Sequence, residues 1–134
     1  MNYFPKPEII VLNGVVNETG QLHFFEKSDD FPFEIKRSFW ITGVPKGEKR
    51  GVHAHKRETQ LLIALKGEVE VRLEDRSGNT YSFVLDQPNH ALVLPALYWS
   101  EVIFGNDAIL LVLSDHGFSE SDYIRNKEEF DALS

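Results

Sequence analysis

Apolar residues fall along this chain in short runs, each closed within a few positions by Gly, Pro, Asn or Asp. The first run covers residues 9–12 and is ended by Asn13-Gly14. Runs at 21–26 and 35–42 follow, the second rich in aromatic and β-branched residues. Residues 68–74 alternate with a clean period of two: Val69, Val71 and Leu73 are interleaved with Glu68, Glu70, Arg72 and Glu74. Successive side chains of a strand point to opposite faces, so this alternation predicts a half-buried strand. Further strands are expected at 51–55, 61–65, 81–85, 92–94, 102–104 and 109–113. Lys66-Gly67 reads as a turn, and 75–79, containing Ser77-Gly78-Asn79, as a hairpin loop. Helical spacing occurs at the C-terminus, where Tyr123, Lys127 and Phe130 follow Ser119-x-x-Asp122. That tetrapeptide resembles a capping box with Asp in the place of Glu or Gln, and it predicts a helix over about 119–133. Many short strands and one terminal helix predict an all-β domain, a small barrel or jelly roll, spanning residues 1–134.

Composition narrows the function classes. A chain of 134 residues supports one hydrophobic core rather than two. It has no cysteine, which excludes a disulfide framework, a thiolate nucleophile and a Cys-based metal site. No apolar run approaches the ~20 residues that cross a bilayer, and MNYFPKPEIIVLNG lacks the pattern of a secretory leader. A cytoplasmic protein without membrane attachment is therefore expected. A net charge of −7 speaks against general nucleic-acid binding. The cations are nevertheless bunched: Lys36, Arg37, Lys46, Lys49, Arg50, Lys56 and Arg57 make up half of the 14 lysines and arginines. Such a bunch is either a solvated rim or a local anion site inside an acidic protein.

Chemistry concentrates between Gly47 and Gly67. His53 and His55, at i and i+2 on an expected strand, face the same way. The spacing G-x5-H-x-H-x4-[E/Q]-x6-G, completed by Gln60, resembles the first cupin motif, and Pro95-Ala96-Leu97-Tyr98-Trp99-Ser100 resembles a looser second one. Metal-binding cupins typically supply three histidines and a glutamate. Gln60 and Ser100 stand where two of those ligands are usual, and their neutral oxygens are poor ligands for zinc or iron(II). No metal and no other cofactor is expected. Unmetallated imidazoles near neutrality instead suit proton transfer. His23, His90 and His116 sit near strand ends or turns and are expected to be structural or surface residues.

Arg50-Gly51-Val52-His53-Ala54-His55-Lys56, the stretch 110–114, Asp122-Tyr123-Ile124-Arg125 and Pro32-Phe33-Glu34-Ile35-Lys36-Arg37 are together similar to the FdtA/QdtA (WxcM-like) sugar-nucleotide 3,4-ketoisomerases of the cupin superfamily. The resemblance runs from about residue 9 to 130. It implies a cupin jelly-roll barrel that moves the ketone of dTDP-4-keto-6-deoxy-D-glucose from C4 to C3. The product would be a dTDP-3-keto-6-deoxyhexose for deoxysugar or lipopolysaccharide synthesis. It implies a metal-free homodimer, with the strand at 9–12 exchanged between subunits. It also implies roles: His53 as base and His55 as its partner, Arg50 and then Arg37 on the diphosphate, and Gln60, Tyr98, Trp99 and Ser100 on the substrate. Three positions depart from the family's habit. Phe39-Trp40 replaces a Tyr-Tyr pair whose first hydroxyl is thought to help move protons, Thr59 stands where His is frequent, and Ser100 where His or Arg is frequent. A related sugar-nucleotide epimerase and a non-catalytic sugar-nucleotide-binding cupin stay open as alternatives.

Overall fold

The computed structural model describes residues 5–29 and 31–133. In chain order the strands are β1 (Glu8–Val11), β2 (Asn13–Asn17), β3 (Gly20–Phe24), β4 (Arg37–Ile41), β5 (Lys49–His55) and β6 (Gln60–Lys66). They continue with β7 (Val69–Glu74), β8 (Thr80–Leu85), β9 (His90–Leu94), β10 (Trp99–Phe104), β11 (Ile109–Ser114) and β12 (Tyr123–Ile124), followed by helix α1 (Lys127–Asp131). One five-stranded sheet has the order β1-β9-β6-β11-β4 and the other β12-β5-β10-β7-β8. The expected barrel is thus a jelly roll of two separate sheets closed by side-chain packing rather than by a continuous ladder.

The main core fills the space between the sheets. Leu62, Ala64, Leu92, Leu94, Leu110 and Val112 meet Val69, Val71, Leu73, Leu85, Val102 and Phe104 there. The alternation read in β7 sends Val69, Val71 and Leu73 into this core. β6 shows no alternation because both its faces are covered. Leu62 and Ala64 face the main core, while Leu61 and Ile63 pack with Val93, Leu113 and Phe33, beside Phe25 and Phe31, in a second cluster. Gly67, at φ 72, makes the turn that leads from β6 into β7.

Three elements differ from the sequence reading. Asn13-Gly14 ends β1, but the chain continues at once as β2 and pairs with β3, so the turn lies at Glu18-Thr19. Pairing also begins earlier than read in β10, at Trp99. The C-terminal helix does not run over 119–133: Glu120–Asp122 is a 3-10 turn, Tyr123–Ile124 is strand, and only Lys127–Asp131 is α-helical. Ser119 makes no side-chain cap, whereas Asn126 Oδ1 accepts from Glu129 N at 3.1 Å and starts the helix. Tertiary pairing explains the break. Tyr123 and Ile124 lie opposite His55 and Ala54 in an antiparallel ladder, and Phe130 then packs on Trp99. No helix among the described residues is long and apolar enough to cross a membrane.

Candidate active site

A cavity of about 290 Å³ opens between the two sheets. Its floor is apolar, with Phe39, Leu62, Leu94, Phe104, Leu110 and Val112. Its polar wall carries Arg50, His53, Gln60, Ser100, Tyr123 and Arg125. Convergent polar groups over an apolar floor are the usual make-up of a small-molecule site. A larger hollow of about 570 Å³ lies elsewhere, lined by Trp99, Arg72, Glu74, Glu101 and Lys127. It holds no histidine, and Lys127 is already paired with Glu74 and Asp131. The chemistry therefore belongs to the smaller cavity.

β5 supplies the centre of the site. His53 and His55 are two residues apart, and their rings meet edge-on with centroids 4.9 Å apart. Arg50 stands three residues before His53, an odd spacing that a regular strand would turn to the opposite face. The ladder avoids this by a bulge: Ser100 pairs with His53 and Val102 with Arg50, so β5 spends one extra residue. Gly51, at φ 62, sits in that bulge. Ser100 Oγ lies 2.6 Å from Gly51 O and 3.0 Å from His53 O, and its single proton braces the bulge. Arg50 thereby lines the cavity, exposed and with no ion pair among the described residues.

Behind the histidines lies a buried charged network. Glu58 and Asp122 are 1% and 3% exposed, values that demand partners. Glu58 Oε2 accepts from Arg37 Nη2 at 3.1 Å and from the Gln60 amide. Asp122 Oδ1 accepts from the backbone N–H of Arg57 at 2.9 Å and from its Nε at 3.1 Å, and Oδ2 from the backbone N–H of Glu58 at 3.1 Å. Burial pushes the Asp122 carboxyl up, but the Arg57 side chain and the backbone N–H groups outweigh it and hold the carboxyl below its usual range. Two carboxylates facing two guanidiniums leave no net charge for His55 to balance. His55 Nδ1 lies 3.4 Å from Asp122 Oδ2 without hydrogen-bond alignment, and Nε2 lies 3.4 Å from the Gln60 amide nitrogen. Burial lowers the His55 pKa, against the opposing pull of Glu58 and Asp122, so the ring is neutral at pH 7. With the Gln60 NH₂ donating to Nε2, the ring proton sits on Nδ1, facing Asp122.

His55, Glu58 and Asp122 also bring one ligand atom each within 4.8 Å of one another. Arg37 and Arg57 already supply the positive charge there, and N–H donors occupy the carboxylate oxygens. This donor set does not fit a cation.

His53 is the more accessible imidazole. Burial, then the neighbouring His55 and Arg125, lower its pKa to about 4, with Glu120 opposing. At neutral pH it is an unprotonated ring facing the cavity, able to accept a proton.

The remaining expected site residues separate. Gln60 and Ser100 line the cavity, but both are engaged with the protein. Arg37 stands over Phe39 and Phe118 and spends its guanidinium on Glu58 and the His116 carbonyl. Tyr98 turns away, its hydroxyl donating to Pro5 O at 3.1 Å. Trp99 lies on the other face of β10, buried against Ala54, Ile124 and Phe130. The sequence reading passed over Tyr123, Arg125, Glu58 and Asp122 as site residues. Tyr123 and Arg125 have the same i, i+2 spacing as the histidines, and Tyr123 lies in β12, which pairs with β5 and ends one residue before Arg125. That spacing was readable, but a helix expected across it concealed its meaning.

A jelly roll whose H-x-H strand faces a cavity between its sheets is a cupin-type protein. The chain belongs to the WxcM-like, C-terminal family (FdtA), which matches residues 5–134. It is 34% identical over 125 residues to the TDP-4-oxo-6-deoxy-alpha-D-glucose-3,4-oxoisomerase of Aneurinibacillus thermoaerophilus, covering 92% of this chain and 88% of that one. Among solved structures it resembles a histidine-to-asparagine mutant of the 3,4-ketoisomerase QdtA from Thermoanaerobacterium thermosaccharolyticum in complex with TDP-4-keto-6-deoxyglucose. That likeness has a TM-score of 0.88 and 33% identity over 98% of this chain and 94% of the other. The WlaRB TDP-quinovose 3,4-ketoisomerase of Campylobacter jejuni is similar at a TM-score of 0.87 and 32% identity, over 97% of this chain and 100% of that one.

Proposed function

We propose that this protein is a sugar-nucleotide 3,4-ketoisomerase that converts dTDP-4-keto-6-deoxy-D-glucose into a dTDP-3-keto-6-deoxyhexose. The observation that carries the reading is His53 facing the cavity, with Arg50 on the same wall and in no ion pair among the described residues. The family and its 34%-identical relative support the same activity. An arginine fork suits diphosphate oxygens, and Arg50 holds the nucleotide end so that the sugar lies against His53. His53 removes the proton from C3, next to the C4 ketone, and an enediol forms. Return of the proton to C4 completes the ketone shift. A pKa of about 4 makes His53 a modest base in the free protein. The negative diphosphate raises it on binding, because an opposite charge nearby favours imidazolium. His55, in contact with the Gln60 amide and facing Asp122, fixes the wall on which His53 stands. The protein works without a metal, in the cytoplasm, as a homodimer. The exposed apolar face of the β2–β3 hairpin supports the dimer.

The test is incubation with dTDP-4-keto-6-deoxyglucose in deuterated water, followed by NMR. Ketone transfer to C3 is expected, with deuterium at the new carbinol carbon only in turnovers where the His53 imidazolium exchanges with solvent before it delivers its proton. Exchange at C3 or C5 without transfer would mark an epimerase instead, and neither transfer nor exchange a binding protein.

A further inference from the structure

A ketone shift moves two oxygen-bound protons as well as a carbon-bound one. The C4 oxygen must gain a proton and the C3 oxygen must lose one. The cavity offers few groups for this. Phe39 has no hydroxyl, and the Ser100 proton is spent on the bulge carbonyls. His55 is 4% exposed, and both its nitrogens face the buried network. Tyr98 is outside the cavity. Tyr123 remains. It lines the cavity, and its hydroxyl has no hydrogen-bond partner among the described residues. Its ring is fixed from several sides: His55 at 4.4 Å, His53 at 4.9 Å and the Arg125 guanidinium at 4.3 Å. Arg125 is itself held by Glu120 through two hydrogen bonds of 2.6 and 2.9 Å. A phenol positioned this firmly beside the base, with its hydroxyl unspent, is prepared for a ligand.

We propose that Tyr123 is a second catalytic residue, whose phenol carries the oxygen-bound protons while His53 carries the carbon-bound one. This role rests on the ketoisomerase reading. In the first half, His53 takes the C3 proton, the C3–H electron pair forms the C3=C4 bond, and the C4=O π pair moves to oxygen. The C4 oxygen takes the Tyr123 proton, leaving an enediol, an imidazolium and a phenolate under Arg125. In the second half, the phenolate takes the proton from the C3 oxygen, and the C3=O bond forms. The C3=C4 pair takes the proton of His53 at C4. C3 is oxidised, C4 is reduced, and both side chains return to their starting states.

The experiment compares Tyr123→Phe with the wild-type protein, by turnover of dTDP-4-keto-6-deoxyglucose and by calorimetric binding of dTDP. The variant keeps the ring and its packing and removes only the hydroxyl. Its kcat is expected to fall ~10²–10³-fold, with dTDP affinity within about twofold of wild type. A kcat within about threefold of wild type overturns the role. A parallel loss of dTDP affinity of ~10-fold or more also overturns it, because the hydroxyl would then be structural. Absence of ketone transfer by the wild-type protein, with dTDP still bound, overturns the ketoisomerase reading and this role with it.

Discussion

His53 and His55 are neighbours in one strand, yet their surroundings divide the work between them. His55 is enclosed by Glu58, Asp122 and Gln60, and His53 opens to the cavity. His53→Asn should leave dTDP binding intact and lower turnover by ~10²–10⁴, the usual cost of losing a general base. The pH profile offers a second check. The neutral imidazole is the reactive form, so kcat/KM falls as acid protonates it. Since kcat/KM reports the free enzyme, that fall should centre near pH 4 rather than at the 6.5 of an unperturbed ring. An acid limb at 6.5 would mean that burial does not act on His53 as described. The pairing of Gln60 with the H-x-H was legible from spacing alone. Glu58, one residue from Thr59, was not, because nothing local shows that a carboxylate will be buried against an arginine 21 residues away.

At the scale of elements, the bulge in β5 decides whether Arg50 joins the site. Gly51 adopts φ 62, and a Cβ there would meet Val102 Cγ2 at 3.2 Å. Gly51→Ala should therefore cost about 1–2 kcal/mol of stability through left-handed strain and weaken dTDP binding, as Arg50→Ala is expected to do. Denaturant titration and calorimetry measure the two effects. Unchanged values for Gly51→Ala would show that the bulge does not need glycine. The C-terminal segment teaches the same lesson. Its periodicity suited a helix from Ser119, but Asp122 is more strongly engaged by the N–H groups of Arg57 and Glu58. Those bonds draw residues 123 and 124 into the sheet and delay the helix to Lys127.

At the scale of the whole molecule, the β2–β3 hairpin presents an apolar face left without cover among the described residues. Val15, Leu22 and Phe24 share one face of it and are 58%, 61% and 45% exposed. A lone two-stranded hairpin is marginally stable, and an apolar face on it calls for a partner. A second copy of the chain is the expected cover. Light scattering should find a dimer at micromolar concentration, and Leu22→Glu should shift it toward monomer by placing a charge in the contact. A wild-type monomer at that concentration would leave the hairpin unexplained.

By itself, the sequence determined most of the strands and turns, the inward H-x-H pair and the resemblance to a family. These depend on short-range rules: a period of two, glycine at positive φ, and fixed spacing along one strand. The tertiary structure decided which residues from distant elements share the cavity. It brought Tyr123 opposite His55, turned Tyr98 and Trp99 away, and committed Arg37 to Glu58. The physical reason is that a buried carboxylate or an unpaired strand edge is satisfied by whichever donor the fold brings near. That choice is made in space, between residues that no local pattern connects.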